Sequence, residues 1–260
     1  MFAYRAGETK MSRVSEAFNK HKALITYVTA GDPSLVVTEK IIFQLEKAGA
    51  DIIELGIPFS DPLADGPVIQ ASHQRAVKKN VALADIFKLV GNVRKKTAIP
   101  ICFMLSYNLV VRYGEEKFYS DCEKNGVDGV IIPDLNPDEV SAKTSNVDRI
   151  CLIAPNSSEE RIKIATAKAS GFIYLISVAG VTGKIKGFAA NLSEVIAKIR
   201  KYSDLPIAIG FGISNPVQAK EAAGLADGVI VGSAIVDLIA KKKIPSVSKF
   251  VSALRKSLNA

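Results

Sequence analysis

The stretch Gly49-Ala-Asp-Ile-Ile-Glu54-Leu-Gly-Ile-Pro-Phe-Ser60-Asp-Pro-Leu-Ala-Asp65-Gly-Pro67 reads as a strand, a loop dense in Pro and Gly, and the opening of a helix. Ile52-Ile53 is the apolar run, and it delivers a carboxylate at Glu54. A glutamate ending a buried strand is costly to desolvate, so the position demands a reason. The loop then carries Ser60, Asp61 and Asp65. Asp-Pro and Asp-Gly are turn dipeptides, and either aspartate alone reads as turn chemistry. Beside Glu54 they gain weight, because two carboxylates on one strand and its following loop suit acid–base work on a bound small molecule.

The same strand–loop–helix unit recurs along the chain. Apolar runs at 24–29, 51–55, 99–104, 128–132, 149–154, 172–177, 206–210 and 227–231 read as strands. Helical patterns fall near 34–48, 67–79, 83–96, 114–125, 137–145, 158–169, 191–202 and 214–223, with two more near 233–240 and 246–257. The strands are nearly all apolar, as expected when helices cover the sheet. Eight strands with intervening helices predict a (β/α)8 barrel with extra helices at the N-terminus and after strands two and eight. A doubly wound open sheet is the alternative. Gly49-Ala-Asp-Ile-Ile, Gly126-Val-Asp-Gly-Val-Ile and Ala226-Asp-Gly-Val-Ile form a weak repeat, with Gly171-Phe-Ile-Tyr a looser copy. Glycine at a helix C-terminus takes φ > 0 at no steric cost, so the repeat reads as structural. No linker divides residues 1–260, which are expected to form one domain, with residues 1–10 a poorly ordered extension.

Composition narrows the function. The chain is 48% hydrophobic and carries a net charge of +8, which suits a single large core and an anionic substrate. Arg94-Lys95-Lys96 and Lys241-Lys242-Lys243 sit near helix ends, where they favour the helix dipole, and lack the interleaved aromatics of a nucleic-acid surface. No apolar run reaches the roughly eighteen residues of a membrane helix. Cys102, Cys122 and Cys151 show no CxxC spacing; Cys102 and Cys151 lie in apolar runs, and a reduced cytoplasmic setting is expected. With only His21 and His73, a multi-histidine metal site is not expected, and both read as polar surface or helix residues.

In a barrel of this kind the reacting groups lie where strands end. Glu54, Tyr27, Thr29, Met104, Asp134, Tyr174 and Phe211 occupy such positions. Gly180-Val-Thr-Gly183, Gly210-Phe-Gly-Ile-Ser214 and Gly232-Ser233 follow the last three strands. Small residues there let backbone N–H groups approach an anion, and a helix opening at Ser233 adds its positive end, so the implied substrate carries a phosphate. The segment Val178–Ala190, with Gly180, Gly183 and Gly187, reads as a lid.

Thr29-Ala-Gly-Asp-Pro33, the Glu54–Pro67 string, Gly180-Val-Thr-Gly183, Gly212-Ile-Ser214 and Gly232-Ser-Ala-Ile-Val236 resemble, in order and spacing, the tryptophan synthase α subunit family. The resemblance implies a lyase of tryptophan biosynthesis that cleaves indole-3-glycerol phosphate to indole and glyceraldehyde 3-phosphate with no cofactor in this chain. It implies Glu54 as the general acid/base and Asp65 as the carboxylate that accepts the indole N–H and balances ring charge. Thr182 would hold Asp65. Tyr27, Met104, Ile131, Tyr174 and Phe211 would line the indole slot, and Gly183, Gly212, Gly232 and Ser233 would hold phosphate. It also implies an α2β2 assembly with a β subunit that carries pyridoxal phosphate, with Asp61 and Asn108 at the interface. The physical reading agrees: an apolar setting should raise the Glu54 pKa toward a shuttling value, and two unlike environments let two carboxylates divide their roles.

Two positions depart from the family pattern. Ser106 stands where the family often has Tyr, with Tyr107 shifted by one, which puts rim contacts in question; Tyr107 and Tyr113 read as packing or interface residues. Val178 stands where many members carry Arg, which touches only lid detail. The rival readings are a related phosphate-binding barrel, such as an indole-glycerol-phosphate synthase or an isomerase, and a catalytically silent barrel that activates a β-type partner. A synthase is expected to carry a lysine on an early strand, and strands one to three have none. A silent barrel has no need of both Glu54 and Asp65.

Overall fold

The computed structural model describes residues 11–62, 65–139, 145–177, 185–210 and 212–260, with the backbone alone across 185–191. Eight parallel strands close a barrel in sequence order. They are β1 (Ala23–Thr29), β2 (Ile52–Gly56), β3 (Ile101–Met104), β4 (Gly129–Ile131), β5 (Asp148–Ile153), β6 (Ile173–Ile176), β7 (Ile207–Gly210) and β8 (Gly228–Val231), and β8 pairs back onto β1. The open-sheet alternative is thereby rejected. Helices α1 (Arg13–Glu16), α2 (Leu35–Ala48), α3 (Pro67–Val77), α4 (Leu83–Arg94), α5 (Tyr107–Tyr113) and α6 (Glu115–Asn125) accompany the first half. Helices α7 (Glu159–Lys168), α8 (Ile185–Arg200), α9 (Pro216–Ala223), α10 (Ser233–Ala240) and α11 (Ile244–Leu258) accompany the second.

The strands carry two apolar layers because alternate side chains point to opposite faces. Ile25, Ile52, Cys102, Ile131, Ile150, Phe172 and Ile230 fill the barrel interior. Leu24, Ile53, Phe103, Val130 and Ile173 pack outward against the helices. Both faces are buried, which is why no polar alternation shows in the sequence. Glu54 shares the parity of Ile52 and so belongs to the inner set. Ser34, Ser158 and Asn215 cap α2, α7 and α9 through side-chain oxygens. Gly49 and Gly126 end α2 and α6 in the left-handed conformation, at φ of 103° and 78°.

The repeat before β2, β4 and β8 has a second function that its glycines do not reveal. Asp51 accepts the Leu24 amide at 2.7 Å and pairs with Arg255 of α11. Asp128 accepts the Ile101 amide at 2.8 Å and pairs with Arg94 of α4. Asp227 accepts the Ile207 amide at 2.8 Å and pairs with Arg200 of α8. Each aspartate therefore ties the start of the preceding strand to a helix at the N-terminal end of the barrel. Arg13 of α1 joins Asp128 at 2.7 Å, and Val14 and Phe18 plug the same end, with Phe18 5.5 Å from the Phe172 ring.

Four sequence expectations need adjustment. The chain makes a helix, α5, at Tyr107–Tyr113 where none was expected; Ser106 caps it and Gly114 ends it. The helix expected over 137–145 is a 3-10 turn at Pro137–Glu139, and 140–144 lie outside the described residues. Helix α8 begins at Ile185, so the last part of the expected lid is helical, while 178–184 lie outside the described residues. The fourth, His73, belongs to the site. All three cysteines are buried, and among the described residues no helix is long and apolar enough to cross a membrane.

Candidate active site

The inner face of β2 places Glu54 level with Tyr27 on β1 and Cys102 on β3. The side chain is 1% exposed, and neither carboxylate oxygen has a hydrogen-bond partner among the described residues. An unsatisfied ionised carboxylate in such a place is strongly disfavoured. Burial, and then the charge of Asp65, push the Glu54 carboxyl up to about 8. Glu54 therefore holds its proton at neutral pH, and among the described residues no ion pair accounts for its place in the core.

Around Glu54 lie Tyr27, Met104, Ile131 and Tyr174, all buried in the inner cluster. Burial pushes both tyrosine hydroxyls up, and the charges of Glu54 and Asp65 act on each in the same direction. The four groups thus share one low-dielectric space. Phe172 stacks near Tyr174, with ring centroids 6.5 Å apart. Two glycines make room for the tyrosines. A Cβ on Gly56 would overlap the Tyr27 hydroxyl, and one on Gly210 would lie 2.5 Å from the Tyr174 hydroxyl.

Asp65 sits at the end of the β2–α3 loop, with its side chain 13% exposed. A cavity of about 370 Å³ is lined by Asp65 and Met104 and also by Asp61 and Asn108 at the rim. Asp61 is exposed and bonded to Ser60 at 3.1 Å, and Asn108 is exposed on α5. Ser106 turns to Asp134, donating to it at 2.6 Å, while Asp134 also accepts the Tyr107 amide at 2.8 Å. Asp134 therefore fastens the start of α5 beside that cavity.

His73 overturns its sequence reading. It is 4% exposed on α3, and its Nε2 lies 3.3 Å from Asp65 Oδ2 and 3.1 Å from Tyr27 Oη. The spacing of Ile69, Ser72, His73 and Ala76 on one buried face of α3 was the signal that could have found it. His21, by contrast, is exposed and pairs with Asp51 at 3.2 Å.

Of the residues expected to hold phosphate, Gly212 follows β7, and Gly232 and Ser233 follow β8. Gly212 adopts φ of 83°, and Gly232 precedes Ser233, the first residue of α10. Thr182, Gly183 and Phe211 lie outside the described residues. Among the described residues no group of acidic, histidine or cysteine side chains could hold a metal ion.

Fold and site together define the class, a (β/α)8-barrel enzyme whose mouth opens at the C-terminal ends of its strands. Residues 14–258 match the family model described as Tryptophan synthase alpha chain. A tryptophan synthase alpha chain from Geotalea daltonii is 47% identical, covering 96% of this chain and all of that relative. One from Petrotoga mobilis is 44% identical, covering 94% and 99%. Among solved structures, Mycobacterium tuberculosis tryptophan synthase superposes with a TM-score of 0.88 at 32% identity, covering 96% of this chain and 100% of that one. The alpha subunit from Legionella pneumophila gives 0.85 at 33% identity, covering 96% and 99%. The chain belongs to the tryptophan synthase alpha chain family, and so is an enzyme subunit of tryptophan biosynthesis, a lyase.

Proposed function

We propose that this chain cleaves indole-3-glycerol phosphate to indole and glyceraldehyde 3-phosphate by a retro-aldol reaction. The observation that carries the proposal is Glu54, buried, without a hydrogen-bond partner among the described residues and raised to about 8. A carboxyl held protonated near neutral pH can deliver a proton to indole C3 and take one from the side-chain hydroxyl. The hydroxyl oxygen then becomes the aldehyde carbonyl. The electrons of the broken C–C bond return to the ring and restore its aromaticity, so no external oxidant or reductant enters. Asp65 accepts the indole N–H and balances the positive charge that C3 protonation places on the ring, an electrostatic role.

Tyr27, Met104, Ile131 and Tyr174 form an apolar slot that suits an indole ring, and Phe211 joins them in this assignment. Gly183, Gly212, Gly232 and Ser233 are assigned to the phosphate, supported by the positive φ of Gly212 and the helix that starts at Ser233. Thr182 is assigned to Asp65. The chain works without a cofactor of its own in one (β/α)8 domain. Indole passes to a β subunit in an α2β2 assembly, where pyridoxal phosphate serves the second reaction. The cavity that Asp65 shares with Asp61 and Asn108 supports a route toward that partner.

The deciding experiment is indole release from indole-3-glycerol phosphate, with and without a β subunit, for the native chain and Glu54→Gln. Release by the native chain, acceleration by the β subunit and an inactive variant are the expected results. A native chain that stimulates the β subunit but releases no indole would make it a silent, activating barrel.

A further inference from the structure

We propose that His73 is a positioning residue for Asp65, acting as a neutral imidazole whose single N–H is Nε2–H; the kinetic part rests on the function proposed above. The Phe59 backbone amide donates to His73 Nδ1 at 3.1 Å. A backbone amide can only donate, so Nδ1 presents its lone pair and the ring proton resides on Nε2. That N–H donates to Tyr27 Oη at 3.1 Å, and Asp65 Oδ2 lies 3.3 Å from the same nitrogen.

The partners beyond Tyr27 fix the direction of the whole chain of hydroxyls. Ser72 Oγ donates to the Ile69 carbonyl at 2.7 Å, so it accepts from Thr29 Oγ1 at 2.6 Å. Thr29 in turn accepts from Tyr27 Oη at 3.3 Å, which leaves Tyr27 Oη as the acceptor of the His73 N–H. All four side chains are buried, so the protein supplies their hydrogen-bond partners. The ring orientation is thus set from both ends, and Nε2–H is aimed by the fold before any ligand arrives. Gln70, three residues earlier on α3, donates to the Asp65 carbonyl at 2.8 Å. Helix α3 therefore holds the Asp65 main chain through Gln70 and faces its carboxylate with His73. A carboxylate that must meet a ring N–H gains from such preorganisation, because small misplacements of reacting groups are costly in rate.

With only two histidines in the chain, nitrogen NMR of the full-length native protein reads the tautomer directly, with His21→Asn supplying the assignment. The expected result is a neutral Nε2–H ring for His73 whose nitrogen shifts change in Asp65→Asn. An Nδ1–H tautomer, or shifts indifferent to Asp65→Asn, would overturn the proposal whatever the enzyme's activity. In the complex with its β subunit, His73→Phe is expected to lower kcat for indole-3-glycerol phosphate cleavage about tenfold, with KM changed less than about threefold. His73→Gln, whose amide nitrogen reaches the place of Nε2, is expected to recover most of that loss. Equal rates for the Phe and Gln variants, or a native rate in a folded Phe variant, would also overturn it. Should the native chain release no indole, the lyase reading fails while the NMR result still decides the His73–Asp65 contact.

Discussion

The Tyr27 hydroxyl occupies the space where Gly56, on the neighbouring strand, would otherwise carry its Cβ. Tyr174 and Gly210 repeat the relationship across β6 and β7. Two tyrosines thus reach into the barrel because two glycines give way, and Tyr27 thereby meets His73.

Gly56→Ala should force Tyr27 aside and cost about 1–3 kcal/mol of stability, the usual range for overpacking. Gly66→Ala is the control, because nothing lies within 4 Å of a Cβ at that position. Urea midpoints should fall for the first variant and stay within about 1 kcal/mol of native for the second. Equal midpoints would mean that Tyr27 adapts freely.

Glu54 makes stability depend on pH in a stated direction. Its carboxyl titrates at an ordinary 4.5 in the unfolded chain and at about 8 in the fold. Between those values the folded state binds the extra proton, so this group's contribution to stability declines as pH rises, by about 1.4 kcal/mol per pH unit. The contribution is level below about pH 4.5 and again above about pH 8, and the cost of the buried charge is then fully present. Glu54→Gln removes the titration. The variant should gain on the native chain as pH climbs from about 5 to about 8, read as the difference in unfolding midpoints. A constant difference across that range would show that Glu54 is not held protonated.

Two of the aspartate clamps should rank by burial. Asp128 and Arg94 have side chains only 6% and 12% exposed, whereas Asp227 and Arg200 are 36% and 37% exposed. Asp128→Ala leaves buried guanidinium charge unpaired and should cost about 3–5 kcal/mol. Asp227→Ala should cost clearly less, because an exposed pair is worth roughly 0–1 kcal/mol beyond its bond to the Ile207 amide. Thermal unfolding of the two variants checks the order, and the reverse order would refute the burial argument.

Gly212→Ala places a side chain on a backbone at φ of 83°. Gly212→Asp adds a negative charge where the phosphate is assigned. The aspartate variant should raise KM for indole-3-glycerol phosphate well beyond the alanine variant, by about tenfold if one unit charge is felt at close range. Similar KM values in the two variants would move the phosphate elsewhere.

Much of the barrel was legible because its strands are unbroken apolar runs and its helices carry a 3.6-residue rhythm. Each of the eight expected strands falls within two residues of where it is found, apart from small shifts at their ends. Helix α5 was missed because Tyr107–Tyr113 is short and its cap, Ser106, depends on Asp134 for its own anchoring. The start of α8 was hidden by Gly187, which reads as a loop residue although Ile185, Phe188, Leu192 and Val195 keep helical spacing. Glu54 was conspicuous because a carboxylate interrupts an apolar run. His73 was not, because one polar residue on an amphipathic helix looks the same whether it faces solvent or the barrel until the helix is docked. The aspartates of the repeat were hidden for a related reason. Their partners, Arg94, Arg200 and Arg255, lie 34, 27 and 204 residues away, and no local pattern joins them.

Asp51 and Arg255 have a bearing on how this chain is made. Asp51 holds the start of β1 from the first fifth of the sequence, and its guanidinium partner is on α11, near the end. Helix α11 also donates from Arg255 to the Gly49 carbonyl at 3.0 Å and to the Lys22 carbonyl at 2.9 Å. On the ribosome, strand β8 and helix α11 emerge last, so the seam between β8 and β1 stays open and its edge amides unpaired through most of synthesis. Nascent chains stalled before Ile244 should accordingly be open to proteases and to strand-mediated aggregation, and completion of the barrel becomes a late event that the final helix fastens.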